Sequence, residues 1–84
     1  MKSIRLSKHA RGNMQSRGTT EAEVFETIKT AKWGTAERGR LECRKDFTFQ
    51  QSWNGKLYKM KQVRPIFVEE AEEIIVVTVY VYFF

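Results

Sequence analysis

Residues 74–84, IIVVTVYVYFF, constrain the fold more than any other stretch of this sequence. β-branched and aromatic residues fill it, and these suit a strand. Eleven residues are far short of the ~20 that a membrane-spanning helix needs. The run is apolar at odd and even positions alike, as in a strand covered on both faces, so it belongs inside a sheet rather than at its edge. Strict alternation puts Ile75, Val77, Val79 and Val81 on one face. Ile74, Val76, Thr78, Tyr80 and Tyr82 then take the other, which becomes more polar towards its end.

The rest of the chain must cover such a sheet. Ile4–Leu6 reads as a short edge strand. Ser7 is a good N-cap for a first helix from Lys8 to about Arg17. Ala10 and Met14 face its core side, and Gly18 ends it in the left-handed conformation. Thr20-Glu21-Ala22-Glu23 is a capping box that starts a second helix, with a buried stripe of Val24, Phe25 and Ile28. Lys29 and Lys32 fall in its last turn and Gly34 ends it. From residue 35 onward the pattern is that of strands. Leu41 and Cys43 share one parity, and Phe47 and Phe49 continue it. Asn54-Gly55 marks a tight hairpin, LYKMKQV is a strand that Pro65 interrupts before IFVEE, and residues 71–73 turn into the last strand. With 84 residues the chain forms a single domain, 1–84, burying roughly 60–65% of its extended surface. The layer rule gives an α+β fold, two N-terminal helices packed on one face of an antiparallel sheet of four or so strands.

Charge is unevenly spread. Residues 1–68 hold all 15 Lys and Arg against six acids, a balance of +9, whereas residues 69–84 hold four acids and no base. A basic body of this kind draws polyanions, nucleic acid first among them. Cys43 is the only cysteine, so no disulfide framework or zinc set is available, and with a single histidine no protein-only metal site is expected. No cofactor motif appears. Met1–Asn13 lacks the apolar run of a signal peptide, and the expected location is the cytoplasm.

The pattern Ser7-x-His9-Ala10, with Met14 and Arg17-Gly18 downstream and Val63, Val76, Val77, Thr78, Val79 and Tyr80 in the strands, resembles the bacterial and archaeal family called domain of unknown function 4258. The resemblance spans nearly the whole chain. Its front motif is fairly specific as a set, and its strand pattern is weak alone. Such domains look related to RelE- and BrnT-like toxin folds, small ribonucleases paired with antitoxins among them. The resemblance therefore implies a RelE-like fold, RNA as ligand, RNA cleavage, and an acidic antitoxin-like protein as partner. Two positions depart from the pattern. Asn13 stands where the family usually has arginine, and Thr19 where it has isoleucine.

Metal-independent RNA cleavage needs a base for the 2′-hydroxyl proton, an acid for the departing 5′ oxygen and cations around phosphorus. Histidine is the side chain that ordinarily titrates near neutrality, so His9 is the candidate base or acid. Arg17 and Tyr80 complete the candidate catalytic set. Arg11, Lys59, Lys61 and Arg64 are candidate phosphate contacts; Lys59 and Lys61 share one strand face and Arg64 has the opposite parity. Each also reads as an ordinary solvated charge. Trp33, Trp53, Tyr58 and Phe49 can stack on bases or fill the core. Two further readings stand beside the ribonuclease. One is a non-catalytic module of the same fold that binds nucleic acid or protein, favoured by Gly12 and Asn13. The other is an oligomerisation domain, such as a homodimer, carried by the YVYFF run.

Overall fold

A computed structural model describes residues 2–84. Along the chain come β1 (Ser3–Leu6), α1 (Lys8–Arg17), α2 (Glu21–Thr30), β2 (Gly34–Thr35), β3 (Leu41–Glu42), β4 (Lys45–Trp53), β5 (Lys56–Glu69) and β6 (Glu73–Phe83). A 3-10 turn at Glu37–Gly39 separates β2 from β3. The α+β class, the single sheet and the two N-terminal helices agree with the sequence reading.

Local chemistry explains the helices. Ser7 accepts from the Ala10 N–H and starts α1, and Gly18, at φ 79°, ends it. Thr20 and Glu23 form a reciprocal capping box at the start of α2. The second helix stops at Thr30, before Lys32 and Gly34, and Gly34 opens β2 instead. Trp33 then folds back, its indole N–H donating to the Ile28 carbonyl at 2.8 Å and its ring meeting Phe67 edge-on.

The sheet corrects the expectation of four or so antiparallel strands. Among the described residues it has six, ordered β1-β6-β5-β3-β2, with β4 also paired to β5. It is mixed, because β1 runs parallel to β6, Ser3 to Leu6 lying beside Glu73 to Val76. That direction brings Ser7 to Val76, where its backbone N–H donates to the Val76 carbonyl, and α1 continues along the edge of β6 that β1 leaves uncovered. β5 is the spine. It pairs with β6 on one edge, and with β4 and then β3 on the other. Pro65 does not interrupt it. Pro65 lies between Val63, paired with β4, and Ile66, paired with β3, so its missing N–H removes no ladder bond.

The faces of β6 also differ from strict alternation. Ile66 pairs with Thr78 but Phe67 pairs with Val76, so Val77 is an extra residue in the ladder, a β-bulge. The bulge lets Ile74, Val76 and Val79 all enter the core with Val63 and Phe67, beneath Ala10, Met14, Val24 and Ile28 of the helices. Burying each of these larger side chains contributes roughly 1.5–3 kcal/mol. It also turns Thr78, Tyr80 and Tyr82 together onto the opposite, helix-free face. Among the described residues, no helix is long and apolar enough to cross a membrane.

Candidate nucleic-acid interface

On the helix-free face, the hairpin register sets Arg64 opposite Tyr80, Gln62 opposite Tyr82 and Ile66 opposite Thr78. Arg64 is held as a fork. Its Nε donates to Glu42 Oε1 at 2.7 Å and its Nη2 to Oε2 at 3.2 Å, while Nη1 reaches the Tyr82 hydroxyl at 3.4 Å. The hydrogen bond from Arg64 holds the Glu42 carboxyl below its ordinary range, and the bond to Glu42 raises the guanidinium further above its own. The same guanidinium lies 5.4 Å from the centre of the Tyr80 ring.

A second guanidinium reaches that ring from α1. Arg17 donates from Nη1 to the Val79 carbonyl at 2.8 Å and sits 5.0 Å from the Tyr80 centroid. Tyr80 keeps 38% of its surface exposed between these two cations. Asn13, one turn earlier, accepts from the Thr78 hydroxyl and from the Val79 N–H. Asn13 and Arg17 thus serve the backbone of β6 where a neighbouring strand would otherwise do so.

Beside Tyr80 and Arg64 opens a cleft of about 730 Å³, whose far wall is the Thr35–Arg40 loop. Arg38 and Arg40 line it, and their guanidinium groups have no hydrogen-bond or ion-pair partner among the described residues. Arg38 adopts φ 60°, a left-handed conformation uncommon for a residue with a side chain.

The predicted site residues divide. Arg17, Arg64 and Tyr80 come together. His9 is exposed on α1, four residues before Asn13 and eight before Arg17, so the three follow one ridge of the helix. Arg11 lies out at the surface, 3.9 Å from Glu21. Lys59 is exposed on the other parity of β5. Lys61 lies beneath the helices, only 6% exposed, with its Nζ donating to Glu23 Oε1 at 2.8 Å and to the Gly18 carbonyl at 2.9 Å. Burial pushes the Glu23 carboxyl up, but the hydrogen bonds from Lys61, the Thr20 backbone and the Thr19 hydroxyl outweigh it and leave the group below its ordinary range. Phe49, Trp53 and Tyr58 gather around Phe83, within 5.0–5.6 Å between ring centroids. The Trp53 ring also closes over Gly18, where an added Cβ would stand 2.8 Å from it. Cys43 is buried against the Thr27 carbonyl; burial and then the Glu42 charge push its thiol up to about 12.

Sequence reasoning passed over Glu42, Arg38, Arg40 and Tyr82. Parity alone links Tyr82 to Tyr80. The turn after Glu70 pairs Glu69 with Ile74, a register that continued unbroken would set Arg64 against Val79, and only the bulge moves it to Tyr80. Nothing local marks the 35–40 loop as a wall of the site. No protein-family model, curated protein or solved structure matches the chain.

Proposed function

We propose that this chain is a RelE/BrnT-like toxin-type domain that binds RNA in the cytoplasm, with the helix-free face of β5 and β6 as its interface. One observation carries this reading: two guanidinium groups flank the exposed Tyr80 ring at the mouth of a cleft lined by two further arginines whose guanidinium groups have no partner among the described residues. Single-stranded nucleic acid is held by such combinations, a cationic groove tracking phosphates and aromatic surfaces taking bases. Arg38 and Arg40 supply the free charge, while Arg64, tied to Glu42, orients Tyr80 and Tyr82. The basic body equally suits an acidic antitoxin-like protein as partner.

Metal-independent endoribonuclease activity is the second reading, favoured by His9 sharing its helix ridge with Asn13 and Arg17. In that reaction His9 takes the proton of a ribose 2′-hydroxyl and the 2′ oxygen attacks phosphorus. The bond from phosphorus to the 5′ oxygen breaks and that oxygen is protonated. The products are a 2′,3′-cyclic phosphate and a 5′-hydroxyl. Arg17 steadies the charge that builds on phosphorus.

Fluorescence anisotropy with a labelled single-stranded RNA tests the interface. Tyr80→Ala should weaken binding by roughly 5-fold to 150-fold, the range of one base-stacking contact. Arg38→Ala should flatten the salt dependence by about 0.7 in log K per log salt. Unchanged affinity and slope in both variants would remove RNA from this face. Incubation of transfer and messenger RNA in excess chelator, with the native chain and His9→Ala, separates enzyme from binder. Cleavage that disappears in His9→Ala while binding persists assigns the chemistry to His9.

A further inference from the structure

The sheet defends its edges unevenly. β1 carries Arg5, paired with Glu73 at 3.0 Å. β4 carries Lys45 and Asp46, and its pairing is disrupted between Thr48 and Gln51, where Gln50 takes φ 50°. β2 is two residues long. Charges, irregularities and short length are how sheets discourage edge-to-edge pairing. β6 has none of these beyond Val79. Its sequence there is Tyr80-Val81-Tyr82-Phe83-Phe84, and β1 covers it only as far as Val76.

Two independent observations show which backbone groups are open. Met60 and Phe84 exchange both of their N–H···O bonds, so by alternation Tyr82 and Tyr80 also turn their backbone groups towards β5. Val79, Val81 and Phe83 therefore turn theirs outward. The Val79 N–H donates to Asn13 and the Val79 carbonyl accepts from Arg17, which confirms that parity, and Arg17 is the last residue of α1. Past this clamp, the outward groups of Val81 and Phe83 have no partner among the described residues.

We propose that Val81–Phe84 is a pairing edge for a second copy of this chain, joined antiparallel about a two-fold axis at Tyr82. This register is self-complementary. Val81 of each copy faces Phe83 of the other in a hydrogen-bonded pair, which satisfies all the open groups, and Tyr82 faces itself in a non-hydrogen-bonded pair. Charge does not oppose it. Arg17 binds three residues from the axis, so the two Arg17 clamps stand about 20 Å apart at ~3.4 Å per residue, beyond the ~8 Å screening length at physiological salt. The exposed apolar side chains Tyr82 and Phe84, 45% and 55% accessible, come together across the seam. Phe84 of the second copy stands opposite Tyr80, so the two Arg17–Tyr80–Arg64 clusters lie on one continuous six-plus-six-stranded face.

Sedimentation velocity over a concentration series, together with cross-linking, tests the pairing. The native chain should approach twice the 9.9 kDa of one chain. Val81→Pro removes an outward N–H and leaves the β5 ladder intact, as edge strands tolerate. It should sediment as a monomer with unchanged circular dichroism. Tyr82→Cys should form a disulfide with its own copy under mild oxidation. A non-hydrogen-bonded pair brings the Cα atoms to ~4.5 Å, within disulfide range, and Cys43 is buried. A native chain that stays monomeric at about 0.5 mM overturns the proposal, as does a dimer that persists undiminished in Val81→Pro. Should Val81→Pro fail to fold, the Tyr82→Cys cross-link decides alone, and its absence in a dimeric sample counts against this edge.

Discussion

Lys61 and Arg64 sit three residues apart on the same strand, and the fold treats them oppositely. Lys61 lies under the helices, locked between Glu23 and the Gly18 carbonyl, where it ties the α1–α2 junction to the sheet. Arg64 lies on the helix-free face, beside two tyrosines and an open cleft, with its side chain 22% exposed against 8% for Lys61. Both are cations paired to a glutamate, so residue type does not separate them. Water does. A buried pair is costly to break because the survivor remains charged in a poor solvent, whereas a pair at the surface can be exchanged for a ligand.

Removing each glutamate in turn is the sharpest way to test that contrast. Glu23→Ala strands a buried ammonium and deletes half of a capping box, and should cost about 3 kcal/mol in urea-melt stability. Glu42→Ala leaves Arg64 with solvent and Tyr82, and should change stability by no more than about 1 kcal/mol. The same variant frees the guanidinium fork, so RNA affinity should rise several-fold by anisotropy while the Glu23→Ala protein, where folded, gains none. Equal stability losses in the two variants would erase the distinction between the faces. The smallest effect is the acid limb. Both carboxyls titrate below their ordinary value of 4.5 in the folded chain, so their stabilisation is complete above that value and is lost as pH falls through the lower folded values. Glu23→Gln should make the fall in melting temperature below pH 4.5 shallower, and a limb identical to that of the native chain would show that Glu23 does not carry it.

What was legible in the sequence was local. Ser7, the Thr20–Glu23 box, Gly18 and Asn54-Gly55 act through bonds and backbone angles within a few residues, and each stands where the sequence puts it. The bulge at Val77 carries no glycine or other local mark, since it arises from fitting β6 against Phe67 and the helices. Without it, Val76 and Val79 cannot both be buried, and Tyr80 cannot be placed beside Arg64. Nor does alternation say which side of β5 the helices will cover, so Lys59 and Lys61 look like the equals of Arg64. The parallel β1 is equally hidden, because its partner lies about 70 positions away along the chain.

That separation has a consequence for how the molecule comes into being. Ser7 and Val77, which touch in the folded chain, are 70 residues apart in sequence. Loop closure of this span is entropically unfavourable, rising as about (3/2)RT ln n, and contacts of such range slow folding. During synthesis β1 and α1 emerge long before β6 exists, and α1, with little apolar surface beyond Ala10 and Met14, has no sheet edge to lie on. Asn13 and Arg17 can clamp Val79 only once the final hairpin has formed. The Arg17–Tyr80–Arg64 cluster is therefore among the last parts of the molecule to assemble, and an incomplete chain carries the arginine-rich body without the organised face.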